Sequence, residues 1–154
     1  MATYDHIFIK TGLELGRVAE TFAGLLELRL YIDPGGDFYL TRPASEGKGV
    51  IGGQLHRNFY EYPSDEESEQ SLIAEYDTVW KARCAPCTSE VQRREAIKLF
   101  EDVAACSPWP VLILGGLDVL LGLSRLQEPI HWFPPGATPD AKDRSVWLPF
   151  AADS

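Results

Sequence analysis

Tyr76-Asp77-Thr78-Val79-Trp80-Lys81-Ala82-Arg83 is the stretch that decides the fold. From Leu72 to Arg83 the apolar spacing suits a helix or a strand, but Tyr76, Thr78, Val79 and Trp80 favour the strand. A second stretch tips the balance. Tyr4-Asp5-His6-Ile7-Phe8-Ile9-Lys10 opens on the same Tyr-Asp pair and alternates around Ile7 and Ile9, as a strand does. Thr11-x-x-Glu14 and Ser89-x-x-Gln92, 78 residues apart, follow the two strands and have the form of capping boxes. Behind them Val18, Phe22, Leu25 and Leu26 match Ala96, Phe100, Val103 and Ala104 at the same offset, each set forming an apolar helical stripe. Both helices then lead to apolar runs broken by Gly35-Gly36 and Gly115-Gly116.

This pattern predicts an α+β protein: a two-layer sandwich whose mixed, mainly antiparallel sheet is built from two β-α-β-β modules with both helices on one face. One domain of 154 residues is expected. The first module covers about residues 3–60, a connector residues 61–71, and the second module about residues 72–128. Residues 129–154 hold five of the chain's eleven prolines together with Trp132, Phe133, Trp147 and Phe150, a composition that predicts an extended arm pinned by aromatics. Leu28 to Asp33, Phe38 to Thr41, Val50 to Tyr60, Val111 to Leu114 and Val119 to Leu123 read as the remaining strands, with a weak point at Gly52-Gly53.

The net charge of −9 is uneven. Residues 61–77 carry seven acids (Glu61, Asp65, Glu66, Glu67, Glu69, Glu75 and Asp77) and no Lys or Arg, whereas the rest of the chain is close to balanced. Such a run repels nucleic acid and anionic membranes, whose binding depends on Lys and Arg. The longest apolar stretch, Trp109 to Leu123, is broken by three glycines and Asp118 and falls short of the roughly 20 residues a membrane helix needs. The first fifteen residues predict no secretory leader, and three cysteines suit a reducing compartment, so a cytoplasmic protein is expected.

Cys84-Ala85-Pro86-Cys87 is the sharpest local motif. It lies between an aromatic strand and a helix cap, where a helix dipole lowers a thiol pKa. The order strand, Cys-x-x-Cys, helix resembles the thioredoxin-type redox motif, which implies Cys84 as nucleophile and Cys87 as resolving thiol. The same residues also suit a plain turn set by Pro86. A metal reading would add Cys106 and His131. Gly47-Lys48-Gly49-Val50-Ile51-Gly52 matches the dinucleotide expression but leads into a strand, which predicts a hairpin loop and no cofactor. His6, His56 and His131 stand at no nucleophile or metal spacing. Asp5 and Asp77 fall at equivalent strand starts, and acid–base work would require them to be held close together.

These observations predict a non-catalytic binding protein. Its recognition surface would be Tyr60, Glu61, Tyr62, Asp65, Glu66, Glu67 and Glu69, aromatic anchors beside a negative patch, and its partner a basic protein. In size, charge and want of a catalytic constellation the chain resembles small bacterial immunity proteins, which block a toxin by occupying its active face. The alternatives are thiol–disulfide exchange at Cys84 and Cys87, or a small-ligand carrier closed by the aromatic tail.

Overall fold

The computed structural model describes residues 4–46, 48–60, 70–126 and 128–151. The chain is α+β, with one eight-stranded antiparallel sheet. The elements run β1 (Asp5–Ile9), α1 (Leu15–Leu26), β2 (Arg29–Ile32), β3 (Phe38–Pro43), β4 (Val50–Arg57), β5 (Thr78–Ala85), α2 (Ser89–Cys106), β6 (Val111–Gly115), β7 (Val119–Ser124), β8 (His131–Trp132) and α3 (Arg144–Trp147). The Leu72–Arg83 stretch divides: Leu72–Glu75 forms a 3-10 turn capped by Ser71, and the strand starts at Thr78.

The sheet order is β2-β3-β4-β5-β1-β6-β7-β8. Strands β5 and β6 flank β1, both antiparallel to it, so the β5-α2-β6 crossover skips one strand. The β1-α1-β2 crossover instead passes β5, β4 and β3 to reach the far edge. The two halves share an element order but fill the sheet differently.

Period-two alternation sorts the strand residues between two faces. Ile7, Ile9, Leu40, Ile51, Leu55, Trp80, Ala82, Val111 and Ile113 pack with Val18, Ala19 and Phe22 of α1 and Ala96, Leu99, Phe100 and Val103 of α2. Phe22 stacks on Trp80 with centroids 6.1 Å apart, and Trp80 donates its indole N–H to the Leu40 carbonyl at 3.2 Å. Full burial of each such large side chain contributes about 1.5–3 kcal/mol.

Phe8, Val79, Leu112, Leu114, Leu120 and Leu123 point to the opposite face. There they meet Leu72, Ile73 and Tyr76 together with Ala137 and Trp147 of the tail. The tail does more than run extended: it adds β8 as an edge strand, two 3-10 turns (Ala141–Asp143 and Leu148–Phe150) and α3. It is sewn on by hydrogen bonds from Leu72 N–H to the Pro139 carbonyl and from Leu120 N–H to the Ala137 carbonyl, each 2.8 Å.

Both capping boxes resolve differently from their spacing. The N-cap of α1 is Glu14, which makes no side-chain cap bond. Thr11 and Gly12 instead donate their N–H groups to Asp77, at 3.1 and 2.6 Å. Helix α2 is capped by Thr88, whose hydroxyl accepts from the Val91 N–H at 3.3 Å. Gln92 is therefore free to turn into the core. Among the described residues no helix is long and apolar enough to cross a membrane.

Candidate functional site

Among the described residues, three places bear on the sites that the sequence singles out. The first lies where α2 starts beside the β1–β6 end of the sheet. Asp5 is buried in β1. Its Oδ1 accepts from the Gly116 N–H at 3.0 Å and sits 3.3 Å from Arg93 Nε, while Oδ2 accepts from Gln92 Nε2 at 3.1 Å. Gln92 also donates to the Ala82 carbonyl and accepts from the Cys84 N–H, both at 2.6 Å. A cleft of about 250 Å³ opens here, lined by Asp5, Ser89, Gln92, Arg93, Gly115, Gly116, Asp118 and Val119. Asp5 and Asp77 do not form a pair: β1 and β5 run antiparallel with Asp5 opposite Ala82 and Ile9 opposite Thr78, so the two carboxylates sit at opposite ends.

The second place is on the other face. His6 and His56 are buried, and each directs Nδ1 at a backbone carbonyl 2.7 Å away, that of Gly116 and of Arg57 respectively. The carbonyls can only accept, so the proton sits on Nδ1 and each Nε2 is left as a lone pair. The buried His56 Nε2 has no hydrogen-bond partner among the described residues. Burial lowers the pKa of both imidazoles; Lys81 adds to the effect, and His56 adds to it at His6. Tyr60 sits edge-on to both rings, with centroids 5.6 and 5.7 Å away, and burial raises its own pKa. Phe59 stacks on His56 at 4.7 Å and is nonetheless 57% exposed.

Asn58 turns this cluster into a neck. Its N–H donates to the Asp77 carbonyl at 2.9 Å, and its side-chain amide donates to the carbonyls of Ile73 and Tyr76, each at 2.8 Å. Its Oδ1 accepts from the Tyr60 N–H at 3.0 Å. The residues on either side of the acidic connector, 58–60 and 73–77, are thus fastened to one another. Of the predicted recognition residues, Tyr60 is half-buried in the histidine cluster. Glu61, Tyr62, Asp65, Glu66, Glu67 and Glu69 lie outside the described residues.

The third place is the cysteine motif. Cys84, the last residue but one of β5, lies within the helix-covered core and is joined to Cys87, with the N-cap of α2 following at Thr88. Cys106 stands at the opposite end of α2, about 27 Å away at 1.5 Å per residue. Its thiol pKa is raised by burial and by Asp102. His131 stacks on Phe150 at the β8 edge. These four residues do not converge, and no group of three or more potential metal ligands occurs among the described residues. Gly47 lies outside the described residues, and Gly49 to Gly52 run from the loop into β4, not into a helix.

Nothing in the sequence singles out Asn58 or Arg93, and the spacing of Gln92 suggests a helix cap and not the buried link it forms. The signal for Gln92 was a polar residue on the inner stripe of α2, between Thr88 and Ala96 at helical spacing. No protein-family model, curated protein or solved structure matches the chain.

Proposed function

We propose that the protein acts by binding a basic partner protein at the acidic junction between its two halves, without catalysing a reaction. One observation carries the reading: Asn58 clamps residues 58–60 to residues 73–77, and the chain between those anchors holds Glu61, Asp65, Glu66, Glu67 and Glu69 with no Lys or Arg. Holding the flanking segments 58–60 and 73–77 in place before a partner arrives lowers the entropy lost on binding. Phe59, exposed and resting on His56 beside that neck, supplies an apolar anchor of the kind that carries interface energy.

The carboxylates steer a cationic partner and then sit opposite its Lys and Arg. A partner that uses those cations to hold phosphates would be blocked, which is the mode of an immunity-type inhibitor. The chemistry elsewhere is compatible with this reading, since Asp5, Gln92 and Arg93 are engaged with one another and with backbone groups.

The experiment is capture of basic proteins on the immobilised chain at low and high salt, then association kinetics with the captured protein. Replacing Asp65, Glu66, Glu67 and Glu69 by their amides should slow association and flatten its salt dependence, and Phe59→Ala should speed dissociation. Unchanged association at low salt by the amide variant would remove the acidic junction from the mechanism.

A further inference from the structure

Strand β2 is one of the two outer strands of the sheet, and among the described residues no strand pairs with its outer edge. Its register with β3 sets Arg29 opposite Thr41 and Tyr31 opposite Tyr39, and the Asp33 N–H donates to the Asp37 carbonyl at 3.0 Å. In an antiparallel ladder the backbone groups of alternate residues face the neighbour. Arg29 and Tyr31 therefore spend their N–H and C=O groups on β3, and Asp33 spends its own on Asp37 and Gly36 of the turn, while Leu30 and Ile32 turn theirs outward. Side chains alternate likewise: Leu30 packs toward the helix-covered core, and Arg29, Tyr31 and Asp33 lie on the opposite face. Tyr31 is 53% and Ile32 54% exposed, and Arg29 makes no ion pair among the described residues.

From this edge we infer that β2 is a pairing surface for a second copy of the same chain, joined antiparallel about a two-fold axis through Tyr31. The sequence Arg29-Leu30-Tyr31-Ile32-Asp33 is self-complementary in that register. Leu30 faces the partner's Ile32, and Ile32 the partner's Leu30, so the outward backbone groups of both residues exchange hydrogen bonds. Arg29 faces the partner's Asp33 on one side of the axis, and the same pair repeats on the other. The two Tyr31 side chains meet between these ion pairs, beside a cradle of about 400 Å³ lined by Arg29, Tyr31, Asp33, Tyr39 and Thr41.

Neighbouring registers fail. Moving the axis to Leu30 sets Arg29 against the partner's Tyr31. Moving it to Ile32 sets Leu30 against the partner's Pro34, which has no N–H to give. An isologous contact of this kind closes after two copies and satisfies an edge that would otherwise template open-ended association.

Sedimentation equilibrium of the full chain over a concentration series tests the pairing. The mass should rise from that of one 17.2-kDa chain toward twice that value. Arg29→Glu places like charges at both ends of the contact and should raise the dissociation constant about tenfold or more. Asp33→Lys should do the same. An equimolar mixture of those two variants regains opposite charges at both ends and should form a heterodimer as tight as the unaltered dimer.

Asp33 also holds the β2–β3 turn, so circular dichroism must first show each variant folded. A second probe does not touch that turn: Tyr31→Cys in a Cys106→Ser background should crosslink copies on mild oxidation, whereas Leu25→Cys on α1 should not. An unaltered chain that stays monomeric across the series overturns the inference. So does a dimer indifferent to Arg29→Glu, or a folded Tyr31→Cys variant that does not crosslink.

Discussion

Gln92 Nε2 donates to Asp5 Oδ2 at 3.1 Å while Gln92 Oε1 accepts from the Cys84 N–H at 2.6 Å. One helical side chain thereby joins β1 to β5 and fixes α2 on both. Gln92→Leu keeps most of the volume but strips hydrogen bonds from buried groups, each worth about 1–3 kcal/mol when left unsatisfied. Urea unfolding should show a loss of about 2–4 kcal/mol. Gln92→Glu should be worse at neutral pH, because it sets a second carboxylate against buried Asp5. A loss under half a kilocalorie, on the order of ordinary surface substitutions, would mean the network is not what holds α2.

The same residue marks the limit of what the sequence disclosed. Alternation around Ile7 and Ile9 and the stripe through Val18 and Phe22 are local patterns, and the strands and helices appear where those patterns stand. Spacing alone makes Gln92 half of a capping box, because it cannot show that Thr88 is the better placed hydroxyl. Glu95 on the same helix is likewise buried, accepting from the N–H groups of Ser45 and Glu46 at 3.0 and 2.8 Å. Such partners lie about 50 residues away in sequence, and no local period encodes them. Strand order is non-local in the same way: nothing near Arg29 signals that three strands separate β2 from β1.

The buried histidines predict an acid-sensitive fold. Burial lowers the folded-state pKa of His6 and His56 below 6.5, the value from which both are displaced. The unfolded chain then binds more protons than the native one between the lowered value and about pH 6.5, so stability falls as pH falls through that window. Above about pH 7 the two rings should contribute no slope. Thermal melts from pH 8 to pH 5 should decline chiefly below about pH 6.5, and His56→Gln should flatten part of that decline. An unaltered slope in that variant would assign the acid sensitivity to other groups.

Gly52 is the residue at which the sheet admits no side chain. Its φ is +126°, and a Cβ there would run into the Leu40 carbonyl oxygen and the Thr41 backbone. Gly52→Ala combines a backbone strain of about 1–3 kcal/mol with displacement of β3, so the expected loss is about 3 kcal/mol or more. Gly24→Ala on α1, where nothing lies within 4 Å, should be neutral or stabilising by up to about 1 kcal/mol. Equal stability changes in the two variants would contradict the close approach of β3 and β4.

Trp147 tests whether the tail is structural. It is buried against the second face with Phe8, Leu112 and Leu114, and its indole N–H donates to the Asp140 carbonyl at 3.1 Å. Trp147→Ala should cost about 3–5 kcal/mol. Removing residues 129–154 should expose that face and abolish cooperative unfolding. A truncated chain that melts like the full one would instead make the tail a detachable cover.

Asn58→Ala separates the neck from the binding surface it presents. The change deletes the amide bonds to the Ile73 and Tyr76 carbonyls and the acceptor for the Tyr60 N–H. The backbone bond to Asp77 stays, because it needs no side chain. A moderate loss of stability, about 1–3 kcal/mol, follows from three partners left unsatisfied. Amide exchange should quicken at Tyr60 while β4 and β5 keep their protection. Because no carboxylate is removed, long-range steering of a basic partner should persist, and the association rate should keep its salt dependence. The dissociation rate should rise, since Phe59 and Tyr60 are then held less firmly beside residues 73–77. If Asn58→Ala left both exchange at Tyr60 and dissociation unaltered, the clamp would be a bystander to recognition.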